Sequence, residues 1–369
     1  MLPANINLKS WFPALDGLRC LAVLLVIFGH WLPIEPYTVF FRVFLPGTGV
    51  NLFFVLSGFL ITRILLIQKL DEGVKGWPLF RSFYLRRMLR IFPLYFLVLG
   101  IGLLAAVPMA REAGWQLASF TLNIPRAGLE FQPADLFNHF WSLCAEEQYY
   151  LLFPLLMMIV PARYLRVLFI TMLLAGPLSR LLIFSTGYSP YTMEWAANNI
   201  TVSCFDCFAA GSLLAWYFCY RTEKLTAWVN KPVSGILIVL IFGVFALLKI
   251  DQEAGMLANL FGRTATALFS CWLIAKAVLP AKKGWGQKLA EHPWVVYIGK
   301  ISYGVYVFHH FMPWIVKQLG WYRPDFHYSI LVYAILYALM TFSIASISWR
   351  LLERPLMRLK NLFAYKVTV

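Results

Sequence analysis

Apolar residues gather along this chain in runs of roughly 20, the length a helix needs to cross about 30 Å of hydrocarbon, with short polar stretches between them. The pattern predicts an all-α polytopic membrane protein with about ten spanning helices, near 18–34, 44–68, 90–109, 141–161, 165–184, 200–219, 233–250, 257–279, 295–318 and 328–352. The polar connections 68–90, 110–140, 185–200 and 276–294 are too short for a soluble domain, and 110–140 has room for a short re-entrant or amphipathic piece. The first apolar run begins late and has no small-residue cleavage site behind it, so it reads as a signal anchor. Residues 1–369 are expected to form one membrane domain with no appended soluble domain.

Composition agrees with that solvent. The 369 residues are 60% hydrophobic and 13% charged, whereas a soluble domain has about half and about a quarter. A formal charge of +15 invites a nucleic-acid reading, but its placement argues against one. With both termini inside, the segments 1–20, 62–90, 160–167, 220–232, 276–300 and 350–369 carry 24 of the 32 Lys and Arg residues. Basic loops of that kind stay in the cytoplasm, so both termini are expected there, and no nucleic-acid partner is. The six cysteines fall in or beside helices, where thiols pack as small hydrophobes. Cys204 and Cys207 have the spacing of half a zinc site but lack a second pair, and no metal is expected.

Polar residues inside the apolar runs carry the chemistry. In "LDGLRCLAVLLVIFGHWL" (15–32) His30 follows Arg19 by eleven residues, about 16 Å along a helix and near the bilayer midplane if Arg19 marks the inner interface. An ionisable group there marks function, or else it is a packing histidine bonded to a nearby carbonyl. "FRSFYLRRMLRIFPLY" (80–95) crowds Arg86, Arg87 and Arg90 at an inner helix end. Arg87 and Arg90 share a face, and paired guanidinium groups suit bidentate phosphate binding; topology anchoring and contact with anionic lipid are the bland alternative. In "FNHFWSLCAEEQYYLLFPLL" (137–156) three consecutive polar residues, Glu146 to Gln148, cannot all face one way. Glu146 shares a face with Ser142, Tyr149 and Tyr150, and would either orient an imidazole or form a structural ion pair. "GKISYGVYVFHH" (299–310) places Tyr303 and Tyr306 a turn apart with His309 three further on. "SISWRLLERPL" (346–356) ends with Glu353 at an arginine-rich face, where it would brace Arg87 or Arg90.

Taken in order, "LDGLRCLAVLLVIFGH", "GTGVNLFFVLSGFLI", "YLRRMLRIFPLYF", "FWSLCAEEQYYLLFPLL", "GKISYGVYVFHH" and "ERPL" resemble the signature blocks of the acyltransferase-3 family of integral membrane acyltransferases, from Leu15 to Leu356. The resemblance implies transfer of an acyl group, most often acetyl, to hydroxyls of saccharides or other small acceptors at the bacterial cytoplasmic membrane. It also implies that Arg19 and His30 are the family's arginine–histidine pair and Arg87 and Arg90 its inner-face pair. Glu146 falls on the glutamate of the WSL block and Glu353 on that of the terminal motif. The chain departs from the family at Asn51, where many members have an acid, and at Cys204, where many have an arginine shortly before the acid matched by Asp206. Some relatives carry an esterase-like domain after the last helix; here a second acyl-handling step is expected to come from another protein.

On this reading the co-substrate is cytoplasmic acyl-CoA, with no permanently bound cofactor and an undefined oligomeric state. Arg86, Arg87 and Arg90, with Arg19, would hold the phosphates, and Glu353 would complete the donor site by bracing those arginines. The pantetheine arm would carry the thioester to His30, acting as general base or as a transient acyl carrier, with Glu146 orienting it. Tyr149, Tyr303 and His309 are the candidate substrate contacts, and 110–140 or 185–200 would shape an acceptor site outside. Intramembrane charges also suit a transporter or flippase without chemistry, but that reading leaves the inner arginine cluster unexplained. A lipid-binding structural protein accounts for neither feature.

Overall fold

A computed structural model describes residues 11–31, 39–71, 77–124, 136–248, 255–279, 284–322 and 329–359. They form helices and short connections, with no strand among the described residues. The principal helices are α1 (Pro13–Trp31), α2 (Val39–Asp71), α3 (Trp77–Leu104), α4 (Phe140–Ile159), α5 (Leu165–Phe184), α6 (Pro190–Asn199), α7 (Phe205–Tyr220), α8 (Pro232–Leu248), α9 (Gly255–Val278), α10 (Pro293–Phe308), α11 (Phe311–Gln318) and α12 (Ser329–Ser348).

Seven described helices are long and apolar enough to cross a membrane, or eight if the bent pair Thr222–Val229 and Pro232–Leu248, which meet at 72°, counts as one span. With the bent pair counted, two of the ten expected spans fall outside the set. The expected span 141–161 is the helix α4, but the Glu146–Glu147–Gln148 triplet lowers its hydropathy. The expected span 295–318 is broken at His309 and His310 into α10, of 16 residues, and α11, of 8. The connection 110–140 holds two five-residue helices, Pro108–Glu112 and Gly114–Ala118, while 125–135 lies outside the described residues.

Packing centres on α2 and α7, with α1 and α10 against one another and α1 also against α2. Helices in an apolar solvent gain little from the hydrophobic effect on meeting, so small residues that admit close contact decide where they touch. A Cβ on Gly58 would stand 2.1 Å from the Phe208 carbonyl oxygen, and one on Gly211 would stand 2.1 Å from that of Val55. The same holds between α1 and α10, where a Cβ on Gly299 would meet the Asp16 carbonyl at 1.9 Å. Backbones lie in contact at both crossings.

Gly211→Val should therefore force α2 and α7 apart and lower the melting temperature and folded yield of the detergent-purified protein. Gly243 lies inside α8 with nothing within 4 Å of its would-be Cβ, so Gly243→Ala should be neutral or stabilise by about 0.5–1 kcal/mol. Equal melting behaviour of the two variants would contradict this packing.

Candidate active site

A cavity opens between α1, α2, α3, α4 and α10. Its lining on α2 runs from Val50 to Leu60, about 15 Å of helix, so it is a shaft along the bundle. Arg19, Arg87 and Arg90 line it together with Glu146, Glu147, Tyr150, Tyr303 and Tyr306. Arg19 is held in place by Asp16 at 2.5 Å, which also accepts from Trp11 Nε1 at 3.0 Å. The Arg87 guanidinium lies over the Tyr150 ring, 4.6 Å from its centroid, an arrangement that suits a planar cation on an aromatic face.

Each carboxylate of the triplet helix has a distinct setting. Glu146 accepts hydrogen bonds from Ser57 on α2 and from Tyr150 one turn along its own helix. Ser57 and Tyr150 also meet each other at 2.9 Å. Glu147 Oε1 is buried with no hydrogen-bond partner, while its residue lines the same cavity. Gln148 turns away to Phe120, Asn123 and Thr201. Three guanidinium groups thus face two carboxylates across the shaft. Tyr303 donates to the Ile91 carbonyl at 2.8 Å, and the Tyr306 hydroxyl meets Ser142 at 2.5 Å and the His139 carbonyl at 2.9 Å.

His30 does not line this shaft. It sits in the last turn of α1 and is exposed, rather than enclosed within the apolar run. Its ring belongs to a group of four imidazoles. Centroid separations are 5.0 Å to His309 and 5.2 Å to His310, with His139 4.9 Å from His309 and 4.8 Å from His310. Glu146 is therefore bonded to Ser57 and Tyr150, and the ring facing His30 is that of His309. Seven residues separate His139 from Glu146 on the helix, about 10 Å of rise. Tyr306 joins the two regions, since its hydroxyl lines the shaft and its carbonyl oxygen lies 2.5 Å from His309 Nδ1.

The partners also fix where protons sit. The Tyr306 carbonyl can only accept, so His309 carries its proton on Nδ1 and, when neutral, offers Nε2 as an acceptor. His30 Nδ1 lies 3.3 Å from that nitrogen and 2.9 Å from the Val26 carbonyl oxygen. Placed against two acceptors, Nδ1 is the protonated nitrogen of His30, and base character falls to Nε2. The neighbouring-carbonyl contact of a packing histidine is present, and it holds the ring in the tautomer a base needs.

Other expected residues fall differently. Tyr149 lines no described cavity; its ring stacks on Phe208 at 4.1 Å and its hydroxyl meets Ser212, so Tyr150 occupies the position given to it. Arg86 lies outside the shaft lining, with its Nε buried and unpartnered. Glu353 is buried and accepts from Ser348 at 3.0 Å in its own turn, although its charge also acts on Arg90. His139, His310 and Glu147 had no assigned role, yet His310 and Glu147 each adjoin a residue that had one, and His139 stands two turns before Glu146 in the same quoted stretch.

A second polar centre lies where α5 and α8 end and α9 begins. Arg180 and Asp206 pair at 2.7 Å, both fully buried, and Asp206 also accepts from Thr264 at 2.7 Å and from the Cys207 amide at 3.0 Å. The guanidinium that the family pattern puts beside this acid comes here from Arg180, 26 residues earlier in the chain. A charge inside the apolar run of α5 was the available signal.

The family described as "Acyltransferase domain", acyltransferase-3, matches residues 12–350, and the chain belongs to it. It is 28% identical over 378 residues to O-acetyltransferase OatA of Staphylococcus aureus strain NCTC 8325 / PS 47, across 94% of this chain and 57% of that protein. The figures are the same against O-acetyltransferase OatA of strain COL. The chain thus spans little more than half the length of these curated relatives. No solved structure matches it.

Removing one partner of a buried ion pair strands the other, at a cost of about 3–5 kcal/mol. Asp206→Ala should accordingly lower the melting temperature of the purified protein sharply. Asp206→Asn keeps one acceptor oxygen and should fall less; an unchanged melting temperature in the Ala variant would show that Arg180 does not need the acid.

Proposed function

We propose that this chain is a membrane O-acetyltransferase that takes an acetyl group from cytoplasmic acyl-CoA and transfers it to a hydroxyl of a saccharide or other small envelope acceptor. The observation that carries this reading is the shaft, with three arginines converging on it and its far wall adjoining the histidine group. In this reading the arginine end faces the cytoplasm, both termini lie there, and α4 and the α10–α11 pair complete ten spans in a bacterial inner membrane.

The donor is thin where it must be deep. Arg87, Arg90 and Arg19 hold its phosphates at the mouth, where charge-assisted bonds are strongest. Glu146 and Glu147 further in repel the diphosphate and admit the uncharged pantetheine arm. The arm spans about the 16 Å that separates Arg19 from His30 along α1. His30 Nε2 then removes the proton from the acceptor hydroxyl as its oxygen bonds to the thioester carbonyl carbon. The carbon–sulfur bond breaks, and the imidazolium returns the proton to the departing CoA thiolate. Alternatively His30 Nε2 attacks the thioester carbonyl carbon, the carbon–sulfur bond breaks as CoA thiolate leaves, and the acyl group then passes from the imidazole to the acceptor oxygen, whose proton goes to the thiolate. Tyr303 and Tyr306 line the arm's path, and Glu353 supports Arg90 from behind.

Membranes given labelled acetyl-CoA should label an envelope glycan or small hydroxyl acceptor, and mass spectrometry should find that acetyl ester missing in a deletion strain. His30→Ala and His30→Gln should each lower transfer by about 10²–10⁴ while acyl-CoA still binds. Near-normal turnover in either variant would leave His30 a packing residue.

Arg87→Ala and Arg90→Ala should each weaken acyl-CoA binding by about 1.5–3 kcal/mol at normal protein level, with lysine rescuing only in part because it lacks the planar fork. Unchanged donor affinity in the double variant would return these arginines to topology anchors.

A further inference from the structure

Among the described residues, the second polar centre holds two guanidinium groups and one carboxylate. Asp206 accepts from Arg180 and Thr264 on one oxygen and from the Cys207 amide on the other. Beside it stands another cation, Arg263, whose bonds go to the Ser203 and Asn198 carbonyls at 3.0 and 2.7 Å and to Cys204 Sγ at 3.0 Å. Among the described residues no carboxylate bonds Arg263, so two guanidinium groups share one acid. Its three bonds also leave two of the five guanidinium N–H donors. A second cation kept inside an apolar bundle marks a functional position.

A cavity lies against these groups. Arg180 and Arg263 line it with Asn51, Asn198, Asn259 and Thr48. It stands apart from the shaft. On α2 its lining residues are Gly47, Thr48 and Asn51, whereas the shaft takes Val50, Phe53 and Ser57 from another face of the same helix. It also lies at the opposite end of α2 from the connection to the arginine-rich start of α3, at the depth where α5 and α8 finish. Beside its mouth, Val244 and Leu247 on α8 and Leu257 and Phe261 on α9 are exposed apolar side chains.

We propose that this cavity binds a glycerophosphate-type monoanion, its phosphodiester oxygens on the free edge of Arg263 and its hydroxyls on the asparagine amides and Thr48. The ligand then brings a second negative charge to the two guanidinium groups. A guanidinium fork with two donors matches a phosphate edge, and at interface depth the abundant monoanion is the headgroup of an anionic phospholipid, whose acyl chains would lie along the exposed α8 and α9 faces. The same group could also arrive as free glycerol phosphate. The site is independent of the transfer reaction proposed above and stands or falls without it.

Native mass spectrometry of the detergent-purified full chain tests this with phosphatidylglycerol, phosphatidylcholine and glycerol 1-phosphate as probes. Phosphatidylglycerol should bind at least tenfold more tightly than phosphatidylcholine, and Arg263→Gln should abolish that preference. Because Arg263→Gln also loses structural bonds, Asn51→Asp serves as the second variant: it removes no bond to Arg263, supplies the counter-charge within the cavity, and should abolish the preference at an unchanged melting temperature. Displacement of phosphatidylglycerol by glycerol 1-phosphate would assign the site to the free phosphate as well. No displacement, with the preference intact in the natural chain and lost in Asn51→Asp, would assign it to the lipid. Equal binding of the two lipids together with no glycerol 1-phosphate binding, or a preference that survives both substitutions, would overturn the proposal.

Discussion

Direct backbone contact between helices is the constraint on which the rest of this molecule depends. The α2–α7 crossing is possible only because Gly58 and Gly211 each leave room for a carbonyl oxygen of the other helix. With those backbones in contact, Ser57 on α2 sits within reach of Glu146 and Tyr150 on α4, and Thr62 bonds Ser212 at 2.8 Å. The α1–α10 contact at Gly299 similarly sets Arg19 and His30 on one side against Tyr303, Tyr306 and His309 on the other. Weak polar chemistry is positioned by steric contact between helices that water does not drive together.

That scaffold keeps two groups of charges apart. The shaft gathers Arg19, Arg87 and Arg90 around Glu146 and Glu147, while the Arg180–Asp206–Arg263 group lies on another face of α2. In low dielectric each set must be satisfied locally. Asp16 answers Arg19, Tyr150 offers its ring to Arg87, and Asp206 answers Arg180. Among the described residues each set leaves something over: an unpartnered Glu147 oxygen in one, and a second guanidinium, Arg263, for a single carboxylate in the other.

Much of this was legible in the sequence. Apolar runs of bilayer length gave the helical class and most of the helix positions, since period and length alone govern them. The motif blocks marked Arg19, Arg87, Arg90, Glu146 and Tyr303, all of which meet in one shaft. What could not be read was direction. Tyr149 and Tyr150 are adjacent in the chain, and only the packing of α4 against α7 sends Tyr149 into an aromatic stack and Tyr150 to the carboxylate. The pairing of Arg180 with Asp206 and of His30 with His309 was hidden for the same reason, with the histidines 279 residues apart. Helix breaks were also invisible: "VFHHFM" reads as continuous apolar helix, yet the chain turns there and places two imidazoles at the bend.

The immobility of α1 has its own consequence. Its backbone is in contact with α10 at Asp16, and at Ala22 it touches α2, where a Cβ on Gly49 would stand 2.4 Å from the carbonyl oxygen. A helix pinned at two levels cannot slide, so the interval from Arg19 to His30 works as a fixed gauge. On the proposed route a donor anchored at the arginines presents its carbonyl at one height only. A longer acyl chain would have to be housed sideways, in the wall formed by Val50 and Phe53, and not by any shift of the charged groups. On that route the apolar lining of the shaft, which also includes Phe54, Leu60 and Leu143, is where substitution would change the group carried while the polar side chains stay as they are.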